Sequence, residues 1–449
     1  MSHPPAEPMD RTPTGHPRAE PTDVLVIGAG AAGLAAARAL VNAGRAVRVL
    51  EARERIGGRV FSLREPHLPV AIELGAEFVQ GVVPHSLSLA RKAGAVVAEV
   101  YGGQYLWHDG HMHLAEQPRQ MTSVAFQHLE RFRGRDQSLQ AFLDELAKKE
   151  PQLTEDAQMA AAFVASYDAA DPAVISAQAL VRQHRAEAVI RGDRAFRLPL
   201  GYVAILELLR AALAPEALSL KTTVDRVEWQ PGHVVAHTTD GRTFEANKLI
   251  STLPVPVVAR GDVKFDPGLP NKTNAIRGLR MGPVIKLAMR FDEAFWWTRA
   301  HERLGFVLAQ GQTFPVLWTT YPVLAPLLIA WAAGPNATPL VDLSDEQILE
   351  HGLRTVHSVF KERPKPRLQG WHVHNWQHDP LAGGAYSYVA VGGVGSQQAL
   401  AQPIAGTLFF AGEATVSNGH HATVHGALAS GERAAREVLG EITDPGQNA

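Results

Sequence analysis

The stretch Gly28-Ala-Gly30-Ala-Ala-Gly33 is the first place in this chain where residue types at a fixed spacing imply a chemistry. Gly28 permits a tight turn, Gly30 lets bare backbone approach a pyrophosphate, and Gly33 lets a helix pack closely on a strand. A helix opening after this turn, with Ala32 in the turn before it, presents free N–H groups and about half a positive charge to phosphate oxygens. Glu51 follows at roughly the 20-residue spacing at which a carboxylate accepts ribose hydroxyls, with Ala52 and Arg53 directly behind it. These residues imply a dinucleotide, NAD or FAD alike. Gly57-Gly58-Arg59 then adds a glycine pair beside an arginine. Arg59 can neutralise pyrophosphate where the two glycines bring the chain near it.

The elements that must position these residues are legible around them. Asp23 to Gly28 is a short apolar run suited to a buried parallel strand. A helix over Leu34 to Ala43 is ended by Gly44, and a second strand covers Ala46 to Glu51. After Glu73-Leu-Gly75-Ala76-Glu77-Phe-Val-Gln80-Gly81 the pattern becomes helical and polar from Pro118 to Arg191. Arg197 to Tyr202 is a turn before a further helix. Thr222 to Trp229, Val234 to Thr238 and Lys248 to Ser251 are strand-like, with turns at Pro231-Gly232 and Asp240-Gly241. A second excursion, about Val263 to Ala399, is rich in aromatics and alternating strands, and Thr407 to Glu413 forms the last strand. No internal repeat is present.

Composition narrows the classes. The chain has 449 residues, 46% hydrophobic and 20% charged, enough for two packed domains or one large one. With 43 Lys+Arg against 45 Asp+Glu, it lacks the surplus of cations that a nucleic-acid partner requires. The absence of cysteine excludes disulfides, thiolate metal sites and any cysteinyl link to a cofactor. Met1 to Pro21 is proline-rich, without the apolar core of a signal peptide, and is expected to be a disordered tail. The apolar run Pro322 to Ala333 is too short to span a bilayer. A soluble protein is expected, cytoplasmic by default, with no membrane partner.

Three downstream stretches carry more. Lys286 stands in an otherwise apolar strand, where a cation is expensive unless something needs it. The alternative is the solvent face of an edge strand. Trp376 precedes Asp379-Pro380 and then Gly383-Gly384-Ala385-Tyr386-Ser-Tyr388, a run of aromatics that could equally be core. Finally Phe410-Ala-Gly412-Glu413 precedes Thr423-Val424-His425-Gly426, where Val424 opens a helix.

Together these motifs, over essentially the whole chain from Asp23 to Leu439, resemble the flavin amine oxidase superfamily, and most nearly its polyamine oxidase-like branch. Carotene desaturases and protoporphyrinogen oxidases share the N-terminal signature, so that part alone names the cofactor and not the reaction. The resemblance implies an α/β fold: a Rossmann-type GR2 FAD-binding domain interleaved with a discontinuous α+β substrate domain. The FAD domain would take segments 22–85, 200–262 and 400–442, and the substrate domain 86–199 and 263–399, with 1–21 as the tail.

Further implications of the resemblance concern single residues. Gly75, Ala76 and Glu77 would lie against the cofactor, the backbone of Val224 would hold adenine, and Glu413, beside Gly412, would hold the ribityl chain. Thr423 and Val424 open a helix whose dipole would face the flavin N1–C2=O edge. Trp376 and Tyr386 would pack around the isoalloxazine. Lys286 would reach flavin N5 through a water and serve reoxidation by O₂. Ala385 stands where monoamine oxidases carry their flavin-linking cysteine, so FAD is expected to be non-covalent.

The expected reaction moves a hydride from the carbon beside an amine nitrogen to flavin N5. It gives an imine and then hydrogen peroxide, from a small amine or polyamine. Two departures bear on the substrate: His420 stands where a second aromatic wall is common, and Gln80, where several polyamine oxidases place His or Glu, is uncharged. An L-amino-acid oxidase would need a carboxylate clamp, for which Arg197 and Arg64 are the candidates. A flavin desaturase fits less well with Lys286, Trp376 and the Tyr-Ser-Tyr run. A histone demethylase would need a recruiting domain for which the chain has no room, and a catalytically dead FAD scaffold is the remaining alternative. His420, His421 and His425 are read as non-metal residues, His372 and His374 as ordinary strand side chains. Val391 to Gly395 is read as a loop rather than an NAD(P)H site. A homodimer is left open.

Overall fold

A computed structural model of the chain describes residues 22–115, 123–299, 301–362 and 367–441. The expected N-terminal tail, the start of the helical stretch at Pro118 and residue 442 lie outside the described residues.

The strand β1 (Thr22–Ile27), the helix α1 (Ala31–Asn42) and the strand β2 (Val47–Leu50) open the fold as a β–α–β unit. β1 lies between β2 and the strand Thr243–Ser251, all parallel. Leu218–Ser219 extends the row beyond β2, and Leu408–Phe410 pairs with Leu249–Ser251. Val24, Leu25, Val26 and Ile27 are all buried, as expected for a parallel sheet covered on both faces. The helix begins earlier than its apolar pattern suggested, at Ala31. Gly30 takes the N-cap position, and the alanines that follow are small enough to pack there. At Gly33 an added Cβ would lie 1.9 Å from the Gly28 carbonyl oxygen, and at Gly431 it would lie 2.1 Å from the Ala32 carbonyl oxygen. α1 therefore meets both the turn before it and the C-terminal helix Val424–Leu439 backbone to backbone.

The N-terminal half of Thr243–Ser251 carries an antiparallel meander of His233–Thr238 and Val224–Gln230, with Lys264–Asp266 at its edge. Its turns fall at the anticipated glycines, Gly232 and Gly241, both with positive φ.

A separate seven-stranded sheet runs in the order Leu368–Asn375, Val284–Phe291, Leu327–Ala333, Val316–Thr319, Leu304–Leu308, Gly103–His108, His111–Leu114. Gly103–His108 comes from far upstream and joins Leu304–Leu308 in parallel, so the two excursions share this sheet. Val284–Phe291 is an internal strand, paired on both sides. Its alternation decides the site. Ile285, Leu287 and Met289 face the core shared with the helix Asp345–Phe360. Lys286 and Ala288 face the other way, where Ala288 packs with Ile72 and Leu74. Four helices, Val124–Glu130, Leu139–Lys149, Thr154–Tyr167 and Ala177–Val189, gather around their own core of Phe126, Leu143, Val164 and Leu180. Three of them start on a serine cap, at Ser123, Ser138 and Ser176. Among the described residues no helix is long and apolar enough to cross a membrane.

Candidate active site

The glycine turn forms a cradle of bare backbone at the C-terminal end of β1. Gly28 has φ 100°, and a Cβ there would meet Thr252 Oγ1 at 2.4 Å. The Gly57 N–H donates to the Ala29 carbonyl at 2.9 Å, and a Gly58 Cβ would lie 3.4 Å from the Gly30 Cα. The N-terminus of α1 has no side-chain cap and no acid in its first turn, which leaves its N–H groups for an anion. Glu51 is buried at the end of β2 and accepts from the Ala29 and Arg53 N–H groups at 2.7 and 2.8 Å. A carboxylate has about four acceptor positions, so two remain for ribose hydroxyls. The Thr222 N–H donates to the Glu51 carbonyl at 2.8 Å, which starts the strand of Val224 beside this cradle. The residues fit an adenosine diphosphate.

From the cradle the chain is tied forward by charge. Arg53 donates to Asp379 at 2.7 Å, and the other Asp379 oxygen meets His374 Nε2 at 3.2 Å. Although Asp379 is largely buried, the His374 and Arg53 hydrogen bonds hold its carboxyl well below the usual range. The His374 ring lies 4.1 Å from that of Trp376. His374 is thus not an ordinary strand residue but the support of Trp376, while His372 pairs with Glu65 at 2.8 Å. Arg55 caps the carbonyls of Ile56, Gly58 and Val60, and burial, with Arg53 beside it, lowers its pKa to about 10.

The segment Leu74 to Glu77 runs through the middle of the site. A Cβ on Gly75 would lie 2.0 Å from the Arg59 carbonyl oxygen, so only glycine allows this approach. Trp376 Nε1 donates to the Leu74 carbonyl at 3.0 Å. Lys286, 1% exposed, donates to the Gly75 carbonyl at 3.2 Å and to Glu77 Oε2 at 2.7 Å. Arg197 donates twice to Glu77 Oε1, at 2.8 and 3.1 Å, and Trp318 Nε1 lies 3.1 Å from both carboxylate oxygens. Burial would raise the pKa of Glu77, but Lys286 and Arg197 beside it bring it below the ordinary carboxylate value. The nearby Glu73, with only neutral donors at its oxygens, is pushed by burial up to about 7.

A second set of contacts closes the site from the C-terminal side. Arg59 Nη1 donates to Glu413 Oε1 at 2.7 Å and to the Ala385 carbonyl at 2.9 Å. Glu413 also accepts from the Ser387 N–H and hydroxyl and from the Ala422 N–H, which fills its four acceptor positions. The Tyr386 hydroxyl donates to the Tyr167 carbonyl at 2.7 Å. Thr423 caps the helix opened by Val424 and donates to the His420 carbonyl at 2.7 Å. The His420 and His425 rings lie 5.1 Å apart. Burial lowers His421 and His425 to about 4, and each keeps one ring nitrogen without a protein partner.

Lys286, Trp376, Gly75, Ala76, Glu77, Arg59, Glu413 and the Ala385-Tyr386 backbone therefore form one connected assembly. Gln80 sits on the short strand Phe78–Gln80, whose partner strand ends in Arg197. Neither carboxylate-clamp candidate is free. Arg197 is buried against Glu77, and Arg64 is 60% exposed with Glu207 3.9 Å away. Trp318 and Asp168 carried no sequence motif. Asp168 is buried behind Tyr167, bonded to Gln183 at 2.6 Å and pushed up to about 8 by burial and by Glu187. Its signal was an acid in an otherwise aromatic and small-residue run.

A family described as flavin containing amine oxidoreductase matches residues 31–439. Polyamine oxidase 4 of Oryza sativa subsp. japonica is 30% identical over 94% of this chain and 90% of its own length. Lysine-specific histone demethylase 2 of Homo sapiens is 30% identical over 92% of this chain but 53% of its own, so the chain spans about half the length of that relative. Cyclohexylamine oxidase from Brevibacterium oxydans superposes with a TM-score of 0.79 at 21% identity, covering 94% of this chain and 99% of that one. Wild-type putrescine oxidase bound to putrescine superposes with a TM-score of 0.77 at 20% identity, covering 93% and 99%.

Proposed function

Since the chain belongs to the flavin-containing amine oxidoreductase family and takes FAD as its cofactor, we propose that it oxidises the C–N bond of a small amine or polyamine. When bound, FAD supplies the acceptor for the hydride leaving the carbon beside nitrogen, and O₂ is the final oxidant, released as hydrogen peroxide. The chain's share is placement and electrostatics. The α1 N-terminus and Glu51 hold the adenosine diphosphate half. Trp376, fixed by the Leu74 carbonyl and the His374 ring, and Tyr386, fixed by the Tyr167 carbonyl, present two aromatic groups toward the amine's approach. The neutral amine is the reacting form, because its nitrogen lone pair must assist loss of the α-hydrogen.

The observation that carries the reading is Lys286, a fully buried ammonium on an internal strand, one of whose protons goes to the Gly75 carbonyl. A surface or edge-strand lysine has no such placement. The burial and pairing of Arg197 speak against the L-amino-acid oxidase reading, which needs a guanidinium free for a carboxylate. In this proposal segments 22–85, 200–262 and 400–442 hold FAD, and segments 86–199 and 263–399 shape the amine site. A peroxide-coupled screen across polyamines, monoamines and amino acids tests it, with release expected for amines only. Lys286→Met is expected to keep FAD bound while slowing reoxidation by O₂. Unchanged reoxidation would remove the role given to Lys286.

A further inference from the structure

We infer that Glu77 is the positioning residue for Lys286: its carboxylate, locked by Arg197 and Trp318, keeps the lysine charged and fixes where its remaining proton points. The family signature identifies the lysine but not what holds it.

The argument begins with cost. An ammonium taken fully out of water is stable only with a counter-charge and hydrogen bonds for its protons. Among the described residues, Glu77 is the one carboxylate within ion-pair distance of Lys286. The carboxylate cannot swing away, because both its oxygens are already spoken for. Oε1 takes the two Arg197 donors, Oε2 takes Lys286, and the Trp318 N–H spans both. Of the three lysine protons, one goes to Glu77 and one to the Gly75 carbonyl. Tetrahedral geometry then fixes the direction of the third, with the Trp318 ring centroid 5.2 Å from the ammonium. Two cations against one carboxylate also leave a net positive charge in this buried cluster. Positive charge is what electrons arriving nearby require.

Three holoenzyme variants test this: Glu77→Gln, Glu77→Asp and Glu77→Gln/Lys286→Met. Two quantities are followed against pH, the visible absorbance of bound oxidised FAD without substrate and the rate constant of flavin reoxidation. With its counter-charge gone, the buried lysine is expected to lose its proton more readily. Glu77→Gln should therefore gain an absorbance step beyond any that the neighbouring Glu73, pushed by burial up to about 7, gives to wild type and variants alike, and reoxidation above the added step should fall about 100-fold. In the double variant the added step should vanish. Glu77→Asp, which keeps the charge but shortens its reach, should show a smaller step, and it carries the test if Glu77→Gln loses FAD. A titration superimposable on wild type in both single variants, or an added step that survives in the double variant, overturns the inference. The kinetic arm rests on the proposed amine oxidation and the absorbance arm does not. A step without turnover of any amine would therefore sink the proposed function and spare this one.

Discussion

Glu413 offers a sharp test, because two accounts of it predict opposite outcomes. By resemblance its carboxylate holds the ribityl chain of FAD. In the structure it already receives four hydrogen bonds from three separate parts of the chain, namely Arg59, Ser387 and Ala422, at 2.7 to 3.2 Å. Consider Glu413→Gln. The amide keeps one acceptor oxygen, so the Ser387 N–H and Arg59 can still be served, but without charge. Its NH₂ then confronts the Ala422 N–H, donor against donor, and the Ser387 hydroxyl must turn to accept. Breaking one side of a buried ion pair typically costs about 3–5 kcal/mol. Arg59 is 25% exposed and water can partly recover it, so the lower end, about 3 kcal/mol, is expected. The assay is urea unfolding of the apoprotein. The midpoint should drop with the slope unchanged, and FAD affinity should weaken only as far as the site loosens. If the variant apoprotein unfolds within about 0.5 kcal/mol of wild type while FAD affinity collapses, the carboxylate serves the cofactor and not the tie among Arg59, Ser387 and Ala422.

Gly33→Ala should abolish FAD retention and destabilise the fold by about 1–3 kcal/mol, because its Cβ would sit 1.9 Å from the Gly28 carbonyl oxygen. Flavin absorbance per mole of purified protein measures the first effect. Gly241→Ala, with positive φ but open space around it, should cost about 1–2 kcal/mol and leave flavin content unchanged. Glu73 and Asp168 have folded pKa values of about 7 and about 8, above those of free carboxylates. The folded state holds their protons more tightly, so their stabilisation is complete at acid pH and is lost as pH rises through 7 and 8. The stability advantage of the wild-type apoprotein over Asp168→Asn should therefore shrink as pH rises from about 4 to about 8, by several kcal/mol, and level off above that. Glu77, Asp379 and Glu413, whose pKa values are lowered, act in the opposite sense, and their contribution disappears as pH falls below the ordinary carboxylate range.

What could be read from the residues was what local physics enforces. The β–α–β opening needs only a run of buried apolar residues, glycines where backbones touch, and an acid at the strand tip, and all of these lie between Thr22 and Glu51. The meander turns at Gly232 and Gly241 were legible for the same reason, since both need positive φ. Lys286 could be flagged but not resolved. Its periodicity fits an edge strand as well as an internal one, and the choice depends on Leu368–Asn375 arriving from far downstream. The fates of Arg197 and His374 were hidden for the same reason. Neither has a local signature, and their partners, Glu77 and Asp379, are chosen by the tertiary fold. Glu413 was legible as an important acid, but the four donors that claim it come from positions no motif connects.

Three ion pairs that build the site share one feature. Arg53–Asp379, Arg59–Glu413 and Lys286–Glu77 span 326, 354 and 209 residues of sequence, and each has one end in the stretch from Arg53 to Glu77. Buried or half-buried pairs are poor sources of net stability, since desolvation consumes most of their attraction. They are effective at rejecting misplacement, because a segment docked a few ångströms away leaves a charge buried and alone. Lys286–Glu77 ties the seven-stranded sheet to the stretch after β2, Arg53–Asp379 ties the segment following Leu368–Asn375 to it, and Arg59–Glu413 closes the C-terminal strand's end onto it. Trp376 lies between two of them, bonded to the Leu74 carbonyl and packed at a tilt against the Asp379-bound His374, so its ring inherits that placement. Such a site needs its aromatic groups held to within about 0.5 Å of a productive geometry. Charged ties from one short stretch to three distant segments supply that constraint where packing alone would not.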